Sequence, residues 1–435
     1  MKYIVSYSVK KRIHKKPEIF YGFSKWSFNR QYGPVDIEGI SSVRYLKFLE
    51  GFEIITLDQF NKFKFRDEDI VILPFFNRNR LNHKYEIFTN QIKLIFGKNL
   101  LRDNTYLILG VTAESNGNLR RGNPDNDMSN EEAGDLVYKM VGKENQRIKL
   151  IVDGSVTYGW EKPTDNKAKL VSGNMFLEWA EDLVLNENYN TIFNNNIKKI
   201  ENLEDRDKLF TCLQRRPRLC RFINLYNIHR YNLDNSGFYS LRLNSFDPVR
   251  NWRLSFVENG HWKVESENFK EVSKNFGRFI KQLKGRESYQ CDDVDLNVNQ
   301  ALNLNPNHYL DSYFNVAVET LVNGDVIFLT EKIYKPIICG SPFFVLGNRG
   351  TISELRNMGF KTFDKWWDES YDDLYSHWER SKRVFSTLEE LNKKPKSELN
   401  NILKEQQNIL IDNYNRIKVL INEDKYIEKI IKLLI

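Results

Sequence analysis

The feature of this sequence that most limits its fold is an alternation of short apolar runs with amphipathic stretches. Runs such as KYIVSYSV at Lys2, FEIITL at Phe52 and DIVILP at Asp69 are continuous and end in Gly, Pro or polar residues. Between them, stretches such as SSVRYLKFLEG at Ser41 place apolar residues at helical spacing. Strands that are apolar throughout are typical of a parallel sheet covered by helices on both faces. The pattern therefore predicts an α/β fold of the doubly wound class.

The length of the chain predicts more than one domain. A single core does not grow comfortably to 435 residues. The segment 190–207, NTIFNNNIKKIENLEDRD, is Asn-rich and poorly periodic, so we predict a linker there, after which the alternation restarts with KLFTCL at Lys208. We expect two Rossmann-like domains over 1–200 and 201–395 that face a cleft. A helical tail over 396–435, with one apolar face, is expected to pack across both.

The composition narrows the classes of function. With 41% hydrophobic and 28% charged residues, the chain is not disordered or collagen-like. Cys212, Cys220, Cys291 and Cys339 form no CxxC pair, which argues against a zinc knuckle and a dense disulfide framework. No segment reaches the roughly 20 apolar residues of a membrane span, so we expect a cytoplasmic protein without one. The formal net charge of +7 favours acidic partners such as phosphates, nucleotides or nucleic acid.

The stretch LTEKIYKPIICGSPFFVLGNRG, 329–350, places charged residues where a helix begins beside an apolar strand. Thr330 suits the N-cap position, and the free N–H groups of the following turn favour an anion. Lys332 and Lys335 are three apart and share a helix face, so both can neutralise a diphosphate. Glu331 can accept hydrogen bonds from the two hydroxyls of a ribose. The alternative is an ordinary surface ion pair between Glu331 and Lys335.

The segment 330–373, from TEKIYKPIICG to KWWDESYDD, resembles the C-terminal signature of a group of largely phage-encoded glycosyltransferases of the GT-B architecture. Its Glu-Lys core is similar to the donor-binding motif of the fucosyltransferase type, and LQRRPRLCRFINLYNIHR, 213–230, is a shorter second match. The resemblance implies that Glu331 binds the donor ribose and that Lys332 and Lys335 lie at or near the diphosphate. It also marks signature positions at Gly340, Gly347, Gly350 and the run Asp368, Glu369, Ser370, Tyr371 and Asp372.

Two further groups are donor-site candidates. Arg215 and Arg216 belong to a basic run, CLQRRPRLCR, that follows a predicted strand, and arginine binds phosphate in a bidentate fashion. A solvated basic loop is the alternative. The predicted strand SYFNVAVET ends in Glu319 and Thr320, which it would deliver to the cleft. The Glu319 carboxylate would orient a sugar hydroxyl or, alternatively, cap a helix.

Sugar transfer with inversion needs one base near the acceptor hydroxyl. Asp36 and Asp153 follow predicted strands of the first domain and are our candidates, with a purely structural role as the alternative for each. The sequence contains no HExxH motif and no DxD motif at a strand end, so we expect no obligatory metal. The expected co-substrate is a nucleoside diphosphate sugar, with a UDP-sugar favoured.

The leading expectation is a glycosyltransferase whose domain 201–395 binds the nucleotide sugar and whose domain 1–200 binds the acceptor. The basic loops and the phage-like resemblance favour a hydroxymethylated base in double-stranded phage DNA as the acceptor, modified in the host cytoplasm. A surface glycan or lipopolysaccharide is the rival acceptor. A non-catalytic nucleic-acid-binding protein is the alternative from another class.

Overall fold

The computed structural model describes two sets of residues. Isolated strands and residues are described at 2–6, 52–56, 70–74, 105–111, 149–155, 168–173, 177, 180, 183, 184 and 288–289. Continuous segments are described at 187–215, 217–243, 269–283, 305–322 and 327–423. By contact the chain divides into two compact units, one formed by Met1–Met175 with Asp424–Ile435 and the other by Phe176–Glu423. This division does not coincide with the boundaries expected after residues 200 and 395.

The first unit contains a six-stranded sheet in which every described pairing is parallel. Its strands are β1 Lys2–Ser6, β2 Phe52–Thr56, β3 Ile70–Pro74, β4 Thr105–Val111, β5 Lys149–Ser155 and β6 Ala168–Gly173. Their order is β2-β1-β3-β4-β5-β6, which is a doubly wound arrangement. The apolar runs of the sequence predicted the first five of these strands, and the α/β class is confirmed.

The second unit has a sheet of five strands. They are β7 Lys208–Leu213, β8 Gly237–Arg242, β9 Ser288–Tyr289, β10 Ser312–Val318 and β11 Phe343–Leu346, in the order β11-β10-β7-β8-β9. The first four in that order pair in parallel, and β9 is an antiparallel edge. The strand order reverses between β7 and β10, which are hydrogen-bonded neighbours. This reversal is the switch point at which open α/β sheets bind their ligands.

Helices cover this second sheet. They are α1 Glu187–Glu201, α2 Leu219–Arg230, α3 Phe269–Gln282, α4 Pro306–Leu310, α5 Glu331–Ile338, α6 Thr351–Asn357, α7 His377–Asn392 and α8 Lys396–Glu423. The crossovers β7-α2-β8 and β10-α5-β11 step in opposite directions from the switch point. Because such crossovers are right-handed, α2 and α5 lie on opposite faces of the sheet. Helices α3 and α7 pack with α2, whereas α1 and α8 pack with α5.

The linker predicted over 190–207 is wrong for most of its length, because that region forms helix α1. Phe193 and Ile200 are buried, and the Phe193 ring stacks on Tyr414 with 3.9 Å between centroids. Asn196 is also buried, and its Nδ2 donates to the carbonyls of Cys339 and Gly340 at 2.9 Å each. A polar residue therefore occupies a core position of the helix, and this hid the helical period in the sequence.

The described part of the expected tail forms α8, which packs on α1, α5 and β10 of the second unit. Its buried face includes Leu399, Leu403, Leu410 and Ile417, as the apolar pattern predicted. Among the helices that the structure describes, none is long and apolar enough to cross a membrane.

Candidate functional site

The candidate site lies at the carboxyl ends of β7 and β10. Two cations from different parts of the chain converge there on Thr320, the second residue after β10. Arg218 donates from Nη1 to the Thr320 carbonyl at 2.8 Å, and Lys332 donates from Nζ to the Thr320 hydroxyl at 3.2 Å. Arg218 belongs to the segment after β7 and Lys332 to the first turn of α5. At the switch point of the sheet, two positive side chains therefore donate hydrogen bonds to the same residue.

Glu319 directly follows strand β10 and ties its end to the start of α5. Its side chain is 0% exposed, and its carboxylate accepts from the Thr330 backbone N–H at 3.0 Å and from the Thr330 hydroxyl at 2.5 Å. Burial raises the pKa of this carboxyl group, while Lys332 and the Thr330 hydrogen bonds act in the opposite direction. The helix-capping role, which the sequence left as an alternative, is the one this geometry displays.

The position of Glu319 changes the expected location of an anion. Thr330 is the N-cap of α5, as predicted, and its side chain accepts from the Lys332 N–H. The first turn of α5, however, also holds the carboxylate of Glu331, and Glu319 lies against Thr330. Two protein carboxylates therefore lie at the N-terminus of α5, where they compete with an external anion for its N–H groups.

The charges of α5 are partly shielded from water. Lys332 Nζ lies 2.7 Å from Glu331 Oε1, and these side chains are 23% and 12% exposed. Burial acts to raise the pKa of Glu331, but the nearby Lys332 and Lys335 ammonium groups lower it overall. Burial, assisted by Lys332, lowers the pKa of Lys335 to about 8, against the opposing effect of Glu331. These groups are an electrostatically coupled cluster and not a solvated surface pair.

Helix α2 begins on the other side of the switch point with different chemistry. Its N-cap is Arg218, which has no side-chain cap hydrogen bond, and its first turn contains no acidic residue. A helix start of this kind favours an anion through its N–H groups and its dipole. Arg215 is partly buried three residues before this N-cap, and its carbonyl accepts from the Arg242 N–H at 3.1 Å. Arg216 lies outside the described residues.

The sequence concentrates four arginines in the run 212–221, and the structure gives two of them different surroundings. Arg218 reaches the strand end of β10, whereas Arg221 is buried within α2. Arg218 and Thr320 were both expected near the cleft from the sequence, but their contact was not predicted, because it joins residues 102 positions apart in the chain. Only the strand order brings them together.

The glycines marked as signature positions have structural roles. Gly340 and Gly350 adopt positive φ angles of 64° and 84°, a region that glycine occupies without strain. A Cβ atom at Gly347 would lie 2.4 Å from the Thr351 hydroxyl oxygen. These residues shape the turns around α5, β11 and α6.

The run 368–372 is structural as well. Glu369 accepts from the Phe363 N–H at 2.7 Å and pairs with Arg356 at 2.6 Å. Tyr371 accepts from the Val345 N–H of β11 through its hydroxyl. Asp372 accepts from the Ile352 N–H at 2.7 Å, in the first turn of α6.

The two candidate bases belong to the first unit. Asp36 lies outside the described residues, and Asp153 lies on β5, where only the backbone is described. Within the described part of the chain, no three His, Cys, Asp or Glu side chains converge to hold a metal ion. Known proteins offer no further guide, because neither a family model nor a curated protein matches the chain.

Proposed function

We propose that the chain is a glycosyltransferase whose second unit binds a nucleoside diphosphate sugar at the switch point between β7 and β10. The observation that supports this most is the convergence of Arg218 and Lys332 on Thr320. Two cations at the carboxyl edge of a Rossmann-like sheet suit a dianionic group such as a diphosphate. The GT-B arrangement, with the two units facing a cleft, is part of this proposal.

The diphosphate lies nearer to α2 than the sequence suggested. The first turn of α2 contains no acidic residue that would compete with an anion, and Arg215 and Arg218 lie just before it. Lys332 contributes from the α5 side, and Lys335 adds a second positive charge from the same helix. Positive groups fixed in this way stabilise the charge that develops on a departing diphosphate. Glu331, which is ionised beside Lys332, accepts hydrogen bonds from the donor ribose.

The other half of the reaction belongs to the first unit. Asp36 or Asp153 acts as the base that deprotonates the acceptor hydroxyl. The favoured acceptor is a hydroxymethylated base in double-stranded DNA, and the favoured donor is a UDP-sugar. The cations around Thr320 take the role that a metal ion has in metal-dependent transferases, so no metal is required.

Mass spectrometry of the acceptors tests the reaction. The full-length protein is incubated with a panel of nucleotide sugars and with either hydroxymethylated DNA or surface glycans. A sugar increment on the DNA base is expected, and Lys332→Ala and Arg218→Ala reduce its rate by at least tenfold, the usual loss for one stabilising group. Lys393→Ala is the matched control, because Lys393 is exposed and pairs with Glu390 far from the site.

Each alternative gives a different result. A sugar increment found only on a glycan would show that the acceptor is a surface glycan and not DNA. Salt-dependent DNA binding with no transfer from any sugar nucleotide, and no nucleotide binding, overturns the transferase and favours a nucleic-acid-binding protein.

A further inference from the structure

A chain of buried polar side chains connects helix α7 to the segment that follows β7. Asn224 of α2 is its centre: its Nδ2 donates to Gln214 Oε1 at 3.1 Å. Its Oδ1 accepts from the Ser381 hydroxyl at 2.7 Å and lies 3.2 Å from His377 Nε2. Asn227 donates to the same Ser381 hydroxyl at 2.9 Å. All five side chains are buried, and a buried polar group is costly unless it is hydrogen-bonded, so these contacts favour one arrangement of α2, α7 and the segment after β7.

Gln214 is the first residue after β7, so the network ends at the candidate site. The backbone of Gln214 is held as well, because its N–H donates to the Ser240 carbonyl at 3.0 Å and its carbonyl accepts from the Ser240 hydroxyl at 3.1 Å. Arg215 follows directly, and Arg218 is the N-cap of α2. Gln214 is the first residue of the segment that supplies Arg215 and Arg218. It is therefore held both by α2 and by β8.

Helix α7 also holds the segment that follows β10. Arg380, which is almost fully buried, donates to the Val322 carbonyl. The same guanidinium donates to the carbonyls of Leu374 and Tyr375, which immediately precede α7. Val322 lies two residues after Thr320, on which the two cations converge. Helix α7 is thus linked to the segment after β10 directly through Arg380, and to the segment after β7 through Asn224 of α2.

We infer that the first turns of α7 are a brace that sets the spacing of the two strand-end segments for a diphosphate, with Asn224 and Arg380 as positioning residues. The inference rests on the proposed function for the identity of the ligand. Its physical basis is preorganisation: a site whose side chains are already fixed loses less conformational entropy when the anion binds. Neither residue contacts the ligand; each acts through the segment it holds.

Two buried residues of the same unit provide matched controls. Asn413 is buried and makes two hydrogen bonds to the backbone of Lys361, away from the site. Arg206 is buried as fully as Arg380, and it donates to the Leu310 carbonyl near the amino end of β10. Asn413→Leu and Arg206→Met therefore remove the same kind of contact without touching the strand ends at the switch point.

The test measures affinity and local opening in the full-length protein. Affinities for inorganic pyrophosphate and for nucleoside diphosphates are determined calorimetrically, and hydrogen exchange is followed in 214–222 and 319–322. Asn224→Leu and Arg380→Met are expected to weaken binding about tenfold, the cost of ordering one or two more side chains on binding. Each is expected to accelerate exchange in the segment it holds. The control variants lower the melting temperature but leave affinity within about twofold and exchange in these segments unchanged.

The outcomes separate the brace from the donor site. Unchanged affinity and exchange in both test variants, or equal losses in the controls, overturns the brace. If Asn224→Leu does not fold, Gln214→Met is tested in its place, because it removes only the acceptor of the Asn224 amide. Failure of the wild-type protein to bind pyrophosphate or any nucleoside diphosphate overturns the donor site, and the exchange data then show whether the brace exists without it.

Discussion

Both oxygens of the Glu319 carboxylate accept hydrogen bonds from Thr330, one from its backbone N–H at 3.0 Å and one from its hydroxyl at 2.5 Å. This contact joins the end of β10 to the start of α5, so the two ends of the segment that connects them lie close together. Lys332 donates to the same Thr330 hydroxyl at 3.0 Å and to Thr320, so the candidate cation is attached to the same frame.

The Glu319→Ala variant is expected to lose about 2–3 kcal/mol of unfolding free energy. The substitution leaves the buried N–H and hydroxyl of Thr330 without an acceptor, and a buried donor left unsatisfied costs about 1–3 kcal/mol. Denaturant unfolding measures the loss. The exposed Glu390→Ala control should change stability by less than about 0.5 kcal/mol. Equal effects of the two substitutions would contradict a stabilising role of the Glu319 hydrogen bonds.

Replacement of Asn196 tests whether α1 stabilises the end of α5. Asn196→Ala removes two hydrogen bonds to the carbonyls of Cys339 and Gly340 and is expected to cost about 2 kcal/mol. Asn422 also donates to a helix carbonyl, that of Lys418, but is exposed. Asn422→Ala should cost less than about 0.5 kcal/mol. A neutral Asn196→Ala substitution would contradict the assignment of 187–201 to this core.

Asp372 predicts a specific pH dependence of stability. Burial raises the pKa of this carboxyl group from 3.8 to about 6, although the Ile352 N–H and Arg380 oppose the shift. Between about pH 4 and 6 the folded state takes up a proton that the unfolded state does not, so this residue makes the fold more stable as pH falls.

The comparison with Asp372→Asn isolates that effect. The stability of the wild type relative to the variant should rise by about 1–2 kcal/mol between pH 6.5 and 4.5, from roughly 1.4 kcal/mol for each pKa unit. Denaturant unfolding at the two pH values measures the change. A difference that is constant with pH, or that falls as pH falls, contradicts the predicted shift.

Lys335 predicts a pH dependence of ligand affinity. Its pKa, lowered by burial to about 8, means that the ammonium loses its charge between pH 7 and 9. Affinity for a nucleoside diphosphate should therefore fall about fivefold over this range, from roughly 1 kcal/mol for one charge at short range in water. Lys335→Arg keeps its charge and should show little change. Calorimetric titrations at pH 7 and pH 9 measure the affinities. An equal decline in affinity for the wild type and for Lys335→Arg would assign the effect to another group.

Features that depend on neighbouring residues could be predicted from the sequence, whereas features that depend on residues far apart in the chain could not. Thr330 as a helix start was predicted correctly, because capping depends on a few neighbouring residues. Helix α1 was missed, because Asn196 occupies a core position only by virtue of carbonyls 143 and 144 residues away. The meeting of Arg218 and Lys332 at Thr320 depends on strand order, which apolar runs do not encode. The Glu319 contact with Thr330 spans only 11 residues, and helix capping was one of the two roles that the sequence allowed for Glu319.

The most direct test of the account is calorimetric titration of the full-length protein with a panel of nucleoside diphosphates. We predict that at least one of them, UDP in the favoured case, binds to the wild type. Lys332→Ala and Arg218→Ala should each weaken that binding at least tenfold, since each removes a charge-assisted contact to phosphate, while Lys393→Ala leaves it unchanged. Binding of no nucleoside diphosphate, or equal binding to the wild type and the Lys332 and Arg218 variants, contradicts the donor site at the switch point.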